Sequence, residues 1–175
     1  MTESISLFEE RTNPKLDKPR MVEKVTDSDF ATLAEIAKRA IRQSVDAMPS
    51  IKDDIIGETE VHLTQGLSGG NHVFLKYGDK SDVILGFILI KDAWNLSDLF
   101  VEPRAHHRGI GRQLFQEALS VVISRENRGY SRVNSSLNAE GFYRKLGFQS
   151  FTPEKPSPEF VVPLIYRFAP EPSAA

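Results

Sequence analysis

The chain has 175 residues, 26% of them charged, and a net charge of −2, which fits one globular domain and not a broadly basic nucleic-acid binder. No apolar run reaches the roughly 18 residues that span a bilayer. The polar first twenty residues hold no signal-peptide core, so a cytoplasmic location is expected, with no membrane partner. Cysteine is absent, which excludes disulfides, cysteine zinc sites and a cysteine thioester intermediate.

Residues 1–20, with two prolines and mixed charge, read as a flexible arm. Residues 21–26 suit a short strand. Asp27, Ser28 and Asp29 offer caps for a helix running to about Met48, with Phe30, Leu33, Ile36, Ala37, Ala40 and Ile41 as its inner face. Pro49 and Ser50 break it, and residues 51–65 suggest a second, short helix. Gly66, Gly69, Gly70 and Asn71 mark a loop. Strands are expected over 72–77 and 83–90, joined by a turn at 78–82. A third strand ends in Leu99, Phe100 and Val101, closed by Pro103. If that strand is regular, Trp94, Leu96, Asp98, Phe100 and Glu102 share one face.

Ile110, Leu114, Phe115, Ala118, Leu119 and Val122 predict a helix over 109–126, stopped near Gly129. A strand at 130–133 and a short helix at 137–146 follow, the helix burying Ala139, Phe142, Tyr143 and Leu146. Strands at 148–151 and 160–168 flank a loop at 153–158, and 169–175 reads as a flexible tail. The domain therefore spans 21–168. This order of elements predicts an α/β fold with a mixed sheet, hairpin-linked in the middle and crossed by helices later.

Between the third strand and its helix lies His106-His107-Arg108-Gly109-Ile110-Gly111-Arg112. A glycine turn opening a helix presents unpaired N–H groups and the positive end of the macrodipole, and two arginines add charge. That suits an anion such as a pyrophosphate. A P-loop would need Lys-Ser/Thr after Gly111, where Arg112 and Gln113 stand. A dinucleotide fingerprint would need a small residue at Leu114. A second constellation, Phe142-Tyr143-Arg144-Lys145-Leu146-Gly147-Phe148, follows about thirty residues later.

The pair resembles the two signature motifs of the GCN5-related N-acetyltransferases (GNAT). The first is similar to their Gln/Arg-x-x-Gly-x-Gly/Ala loop, with His106 where Gln or Arg is usual. The second is similar to their Phe-Tyr-x-Lys-x-Gly-Phe helix end, matched at Phe142, Tyr143, Lys145, Gly147 and Phe148. The resemblance implies a mostly antiparallel, twisted sheet of six or seven strands, flanked by about four helices and splayed into a V between two central strands. It implies acetyl-CoA as cosubstrate, its pantetheine arm on the backbone of Leu99, Phe100 and Val101. The pyrophosphate would lie on His107, Arg108, Gly109, Ile110, Gly111 and Arg112, with His106 beside it.

The implied activity is acetyl transfer to a primary amine of a small molecule or peptide, by direct attack in a ternary complex. The alternative is a CoA-binding sensor without catalysis. Tyr143 is the implied general acid for the CoA thiolate. An alkyl amine with a pKa near 10.4 is neutral only about one time in a thousand at neutral pH, so a proton acceptor helps. Asp98 is the nearest carboxylate for that role or for binding a water. Ser136 and Asn138 either contact the pantetheine or acceptor, or cap the helix that follows them. His62 and His72 have no metal-ligand spacing, and no metal is expected. A monomer or homodimer is expected, with the acceptor bounded by residues 27–70 and 152–160.

Overall fold

The computed structural model describes residues 21–169. The expected arm and tail lie outside these residues, except for Ala169. Seven strands form one sheet in the order β1-β2-β3-β4-β5-β7-β6: β1 (Val22–Lys24), β2 (Val73–Gly78), β3 (Ile84–Lys91), β4 (Asn95–Val101), β5 (Tyr130–Ser136), β6 (Gln149–Ser150) and β7 (Val161–Arg167). All neighbours are antiparallel except β4 and β5. Four helices cover the sheet: α1 (Phe30–Ser44), α2 (Pro49–Leu67), α3 (Ile110–Ile123) and α4 (Glu140–Leu146). None of the described helices is long and apolar enough to cross a membrane.

The strands are apolar on both faces because helices lie on both. On one face, Leu33, Ile36 and Ile41 of α1 and Leu63 of α2 pack on Phe74, Phe87 and Leu89. On the other, Leu114, Phe115, Ala118 and Val122 of α3 pack on Ile88, Ile90, Leu96 and Val133, joined by Tyr143 and Phe148.

The two N-terminal helices depart from the sequence expectation. α1 stops at Ser44 because Val45 is already extended. Met48, ahead of proline, is extended too, and Pro49 occupies the first turn of α2 instead of ending a helix. α2 has 19 residues and runs through Gly66, expected in a loop. A Cβ on Gly66 would stand 2.8 Å from the Phe74 ring and 2.9 Å from Leu89, so the missing side chain lets α2 lie flush on the sheet. The expected helix at 137–146 divides into a 3-10 turn over Leu137–Ala139 and α4 proper.

β4 is not regular. Leu89 pairs with Asp98 and Ile90 with Leu96, so Ser97 is an extra, bulged residue. The bulge moves Leu96 onto the α3 face with Leu99 and Val101, whereas Asp98 and Phe100 face α1 and α2. The single face expected for Leu96, Asp98 and Phe100 is thereby corrected.

Candidate active site

The bulge lies at the apex of a wedge. β4 and β5 are paired only at Asn95–Arg132 and Leu96–Val133, with one further bond from the Arg132 amide to the Trp94 carbonyl at 2.8 Å. Beyond that point β4 stays with β3 to Val101, and β5 stays with β7 to Ser136. Two parallel strands that part company leave backbone groups unpaired along the gap. The Glu102 amide donates to the Leu85 carbonyl at 2.7 Å. By the alternation of an antiparallel ladder, the Asp98 and Phe100 amides also turn towards β3, while those of Leu99 and Val101 face the wedge. Phe100 places its ring 5.7 Å from that of Phe87, so its side chain is core and only its backbone borders the gap.

The wedge opens towards the ends of β4 and β5, where the chain turns into α3 and α4. After β4 a 3-10 turn over Pro103–Ala105 leads into the basic loop. His107 (φ 62°) and Gly109 (φ 78°) are both left-handed, which makes the sharp entry into α3. Gly109 caps α3 with no side-chain bond, so by helix geometry the first amides after it have no partner within the helix. Arg108 and Arg112 are exposed and make no ion pair with a described residue. Gly111 admits the ring of Phe142, which would stand 3.0 Å from a Cβ there. The two motifs thus touch: the glycine of one is the seat for the aromatic residue of the other.

His106 turns away from this cluster. Its Nε2 lies 2.9 Å from the Val101 carbonyl and donates to it, pinning the loop back onto the free edge of β4. Ser136 ends β5 with its hydroxyl unbonded to any described residue, and its carbonyl accepts from the Ser135 hydroxyl at 2.7 Å. The Asn138 side-chain amide donates to the Ser44 carbonyl, tying the end of α1 to the turn before α4.

Tyr143 is buried between Phe142 and Phe148, with ring centroids at 5.2 and 5.3 Å. Its hydroxyl makes no hydrogen bond with a described residue. Burial, and secondarily the negative charge of Asp98, push its pKa well above the ordinary tyrosine range. Tyr143 packs on the α3 face of the sheet, whereas Asp98, opposite Leu89, lies on the α1 and α2 face. Asp98 is only 3% exposed. Its Oδ2 stands 3.0 Å from Nδ1 of His62 on α2, within ion-pair reach but without a formed hydrogen bond. Glu102, the other carboxylate on this strand, is taken up in a two-pronged pair with Arg39 of α1, at 3.0 and 2.9 Å. No group of described residues could hold a metal ion.

A wedge between parallel strands, closed by a glycine-led helix and a buried tyrosine, is the architecture that the sequence resemblance implied. The profile of the family described as Acetyltransferase (GNAT) domain matches residues 54–158. The chain belongs to this family. As a GNAT acetyltransferase it shares its fold with solved relatives of low sequence identity. A GCN5-related N-acetyltransferase from Rhodopseudomonas palustris superposes with a TM-score of 0.69 at 20% identity, covering 83% of this chain and 94% of its own. The PaiA N-acetyltransferase from Thermoplasma acidophilum, solved with coenzyme A, gives 0.69 at 20% identity over 84% and 98%. A GNAT acetyltransferase from Brucella melitensis, solved with acetyl-CoA, gives 0.59 at 19% identity over 85% and 88%. Among curated protein sequences there is no match.

Local motif spacing does not point to two residues that meet carboxylates at and just after β4: His62 beside Asp98 and Arg39 on Glu102. Each lies on a helix that meets β4 only through the tertiary fold, a contact without local periodicity. The one available signal was indirect: a carboxylate on a core strand needs a cationic or hydrogen-bonding partner somewhere in the chain.

Proposed function

We propose that this GNAT acetyltransferase moves an acetyl group from acetyl-CoA to a primary amine, by direct attack in a ternary complex at the apex of the wedge. The observation that supports the reading is the parting of β4 and β5 beyond Leu96, with the glycine-led start of α3 at the mouth of the gap. Relatives of the same fold solved with CoA or acetyl-CoA support the cosubstrate.

The pantetheine arm then takes the free amides of Leu99 and Val101, alongside Phe100. The pyrophosphate lies on the amides of Gly109, Ile110, Gly111 and Arg112, balanced by Arg108 and Arg112 with His107 nearby. His106 acts indirectly, holding the loop to Val101. Ser136 and Asn138 border the other wall.

As the amine nitrogen bonds to the thioester carbon and the C–S bond breaks, Tyr143 donates its proton to the departing sulfur. A tyrosine hydroxyl carries its proton throughout the neutral range, so the proton is present to give. Asp98 stands on the side that accepts the amine's proton, directly or through a neighbour.

The test is acetyl-CoA turnover with n-butylamine, Nα-blocked lysine and aniline, for the wild type and Tyr143→Phe. The variant should lose about 10²- to 10⁴-fold in kcat with acetyl-CoA affinity preserved. An unchanged kcat removes Tyr143 from the acid role. Tight CoA binding with no turnover of any amine would favour a CoA-binding sensor.

A further inference from the structure

Asp98 has little direct access to an acceptor amine. It lies almost wholly out of solvent, on the α2 face of β4 opposite Leu89, and no hydrogen bond reaches its Oδ2. A buried carboxylate without a partner is costly, and the polar group within ion-pair reach is the His62 imidazole at 3.0 Å. His62 is differently placed. Its side chain is 27% exposed. Nδ1 is shut away against Asp98, whereas Nε2 is not among the buried unpaired atoms and bonds no described residue. The ring thus has one nitrogen towards an acid and the other towards solvent, next to the wedge apex.

We propose that His62 receives the acceptor amine's proton on Nε2, with Asp98 as the positioning residue behind it. This rests on the acetyl-transfer reading above. A carboxylate 3.0 Å from Nδ1 favours the tautomer with the proton on that nitrogen, leaving the Nε2 lone pair free. The balance is complete. The amine nitrogen bonds to the acetyl carbon, the C–S electrons leave on sulfur, one N–H proton passes to Nε2, and the Tyr143 proton passes to sulfur. Solvent then carries a proton from His62 back to Tyr143, so the net products are the amide and the CoA thiol.

Three features of the fold converge on this arrangement. Gly66, one helical turn beyond His62, lets α2 sit close enough to the sheet for the ring to reach β4. The Ser97 bulge marks where β4 bends out of pairing with β5, so Asp98 is the first residue past the apex. Asp98 also acts on both partners: its charge helps hold the Tyr143 proton in place. A proton arriving on His62 offsets that charge and eases release from Tyr143, which links proton uptake on one side of the wedge to proton delivery on the other.

The experiment measures steady-state transfer by the full chain, using whichever of the three amines above the wild type turns over best. His62→Ala should lower kcat about 10²-fold or more, with the acetyl-CoA KM near wild type, and added imidazole should restore part of the rate. His62→Gln, which keeps a polar side chain beside Asp98 but offers no basic nitrogen, should show the same loss. Asp98→Asn should lower kcat without imidazole rescue and again spare the acetyl-CoA KM. A kcat for His62→Ala within threefold of wild type, an active His62→Gln, or a loss that imidazole cannot touch would each overturn the assignment. Wild-type protein that turns over none of the amines would instead refute the acetyl-transfer reading and this assignment with it. The wild-type result separates the two failures.

Discussion

Asp29 gathers more partners than any other carboxylate described here. Its Oδ2 accepts from the amide and hydroxyl of Thr26 at 2.8 and 2.9 Å, and both oxygens accept from Lys76 Nζ at 2.8 Å. Burial alone would raise its pKa, but the bonds from Lys76 and Thr26 outweigh it and hold the carboxyl below its ordinary 3.8. A group that binds its proton less readily folded than unfolded stabilises the fold above the unfolded pKa. That contribution disappears as the pH falls through the folded value. Asp29→Asn should therefore cost about 1.5–3 kcal/mol at neutral pH, and the gap from wild type should close in acid. Urea unfolding at pH 7 and at pH 3 measures both. An equal gap at the two pH values would mean that packing, and not charge, holds the start of α1 to β2. Asp29 was foreseen as a cap but not as an ion-pair partner, because Lys76 lies 47 residues away in the chain. The same limit hid His62: capping is local and legible, whereas a cross-sheet partner is fixed only when helices settle on strands.

At the level of elements, the entry to α3 separates two roles of glycine. Gly109 has a left-handed φ of 78° with nothing within 4 Å of a Cβ, so Gly109→Ala should cost about 1–2 kcal/mol of backbone strain. Gly111 is the second residue of α3 and its φ is not left-handed, so the backbone there accepts alanine, but a Cβ meets Phe142 at 3.0 Å. Gly111→Ala should hence leave thermal stability near wild type while shifting Phe142 and, through it, Tyr143. The loss should appear in kcat before it appears in melting temperature. Unfolding curves and transfer rates for both variants separate the cases, and a Gly111→Ala enzyme of full activity would show that Phe142 gives way without moving its neighbour. The elements themselves were largely legible. Apolar runs and turn residues marked all seven strands, helical spacing marked most of the helices, and two glycine motifs pointed to the candidate site. The Ser97 bulge was not, since an inserted residue leaves the apolar composition of β4 unchanged. Its effect on which residues share a face emerged only from pairing with β3. Pro49 misled for a related reason: proline ends one helix or begins another, and only the extended Met48 before it decides which.

For the whole molecule, the proposed cosubstrate both fills the wedge and braces its walls. β4 and β5 share two residue pairs, so the two halves of the sheet are joined there by little backbone bonding. A cosubstrate spanning the gap should stabilise the fold by about 2.7 kcal/mol at a hundred times its dissociation constant. In a domain of this size that is a rise of about 5–10 °C in melting temperature. ATP at the same concentration should give no such rise, because it has a phosphate chain for α3 but no pantetheine arm for β4. The most direct measurement is amide hydrogen exchange with and without saturating acetyl-CoA. Slowed exchange is predicted at Leu99 and Val101 and over residues 109–112, with β1 and β2 unchanged. Binding that leaves those amides exchanging at their free rates, or protects a different surface, would contradict a cosubstrate held between β4 and β5.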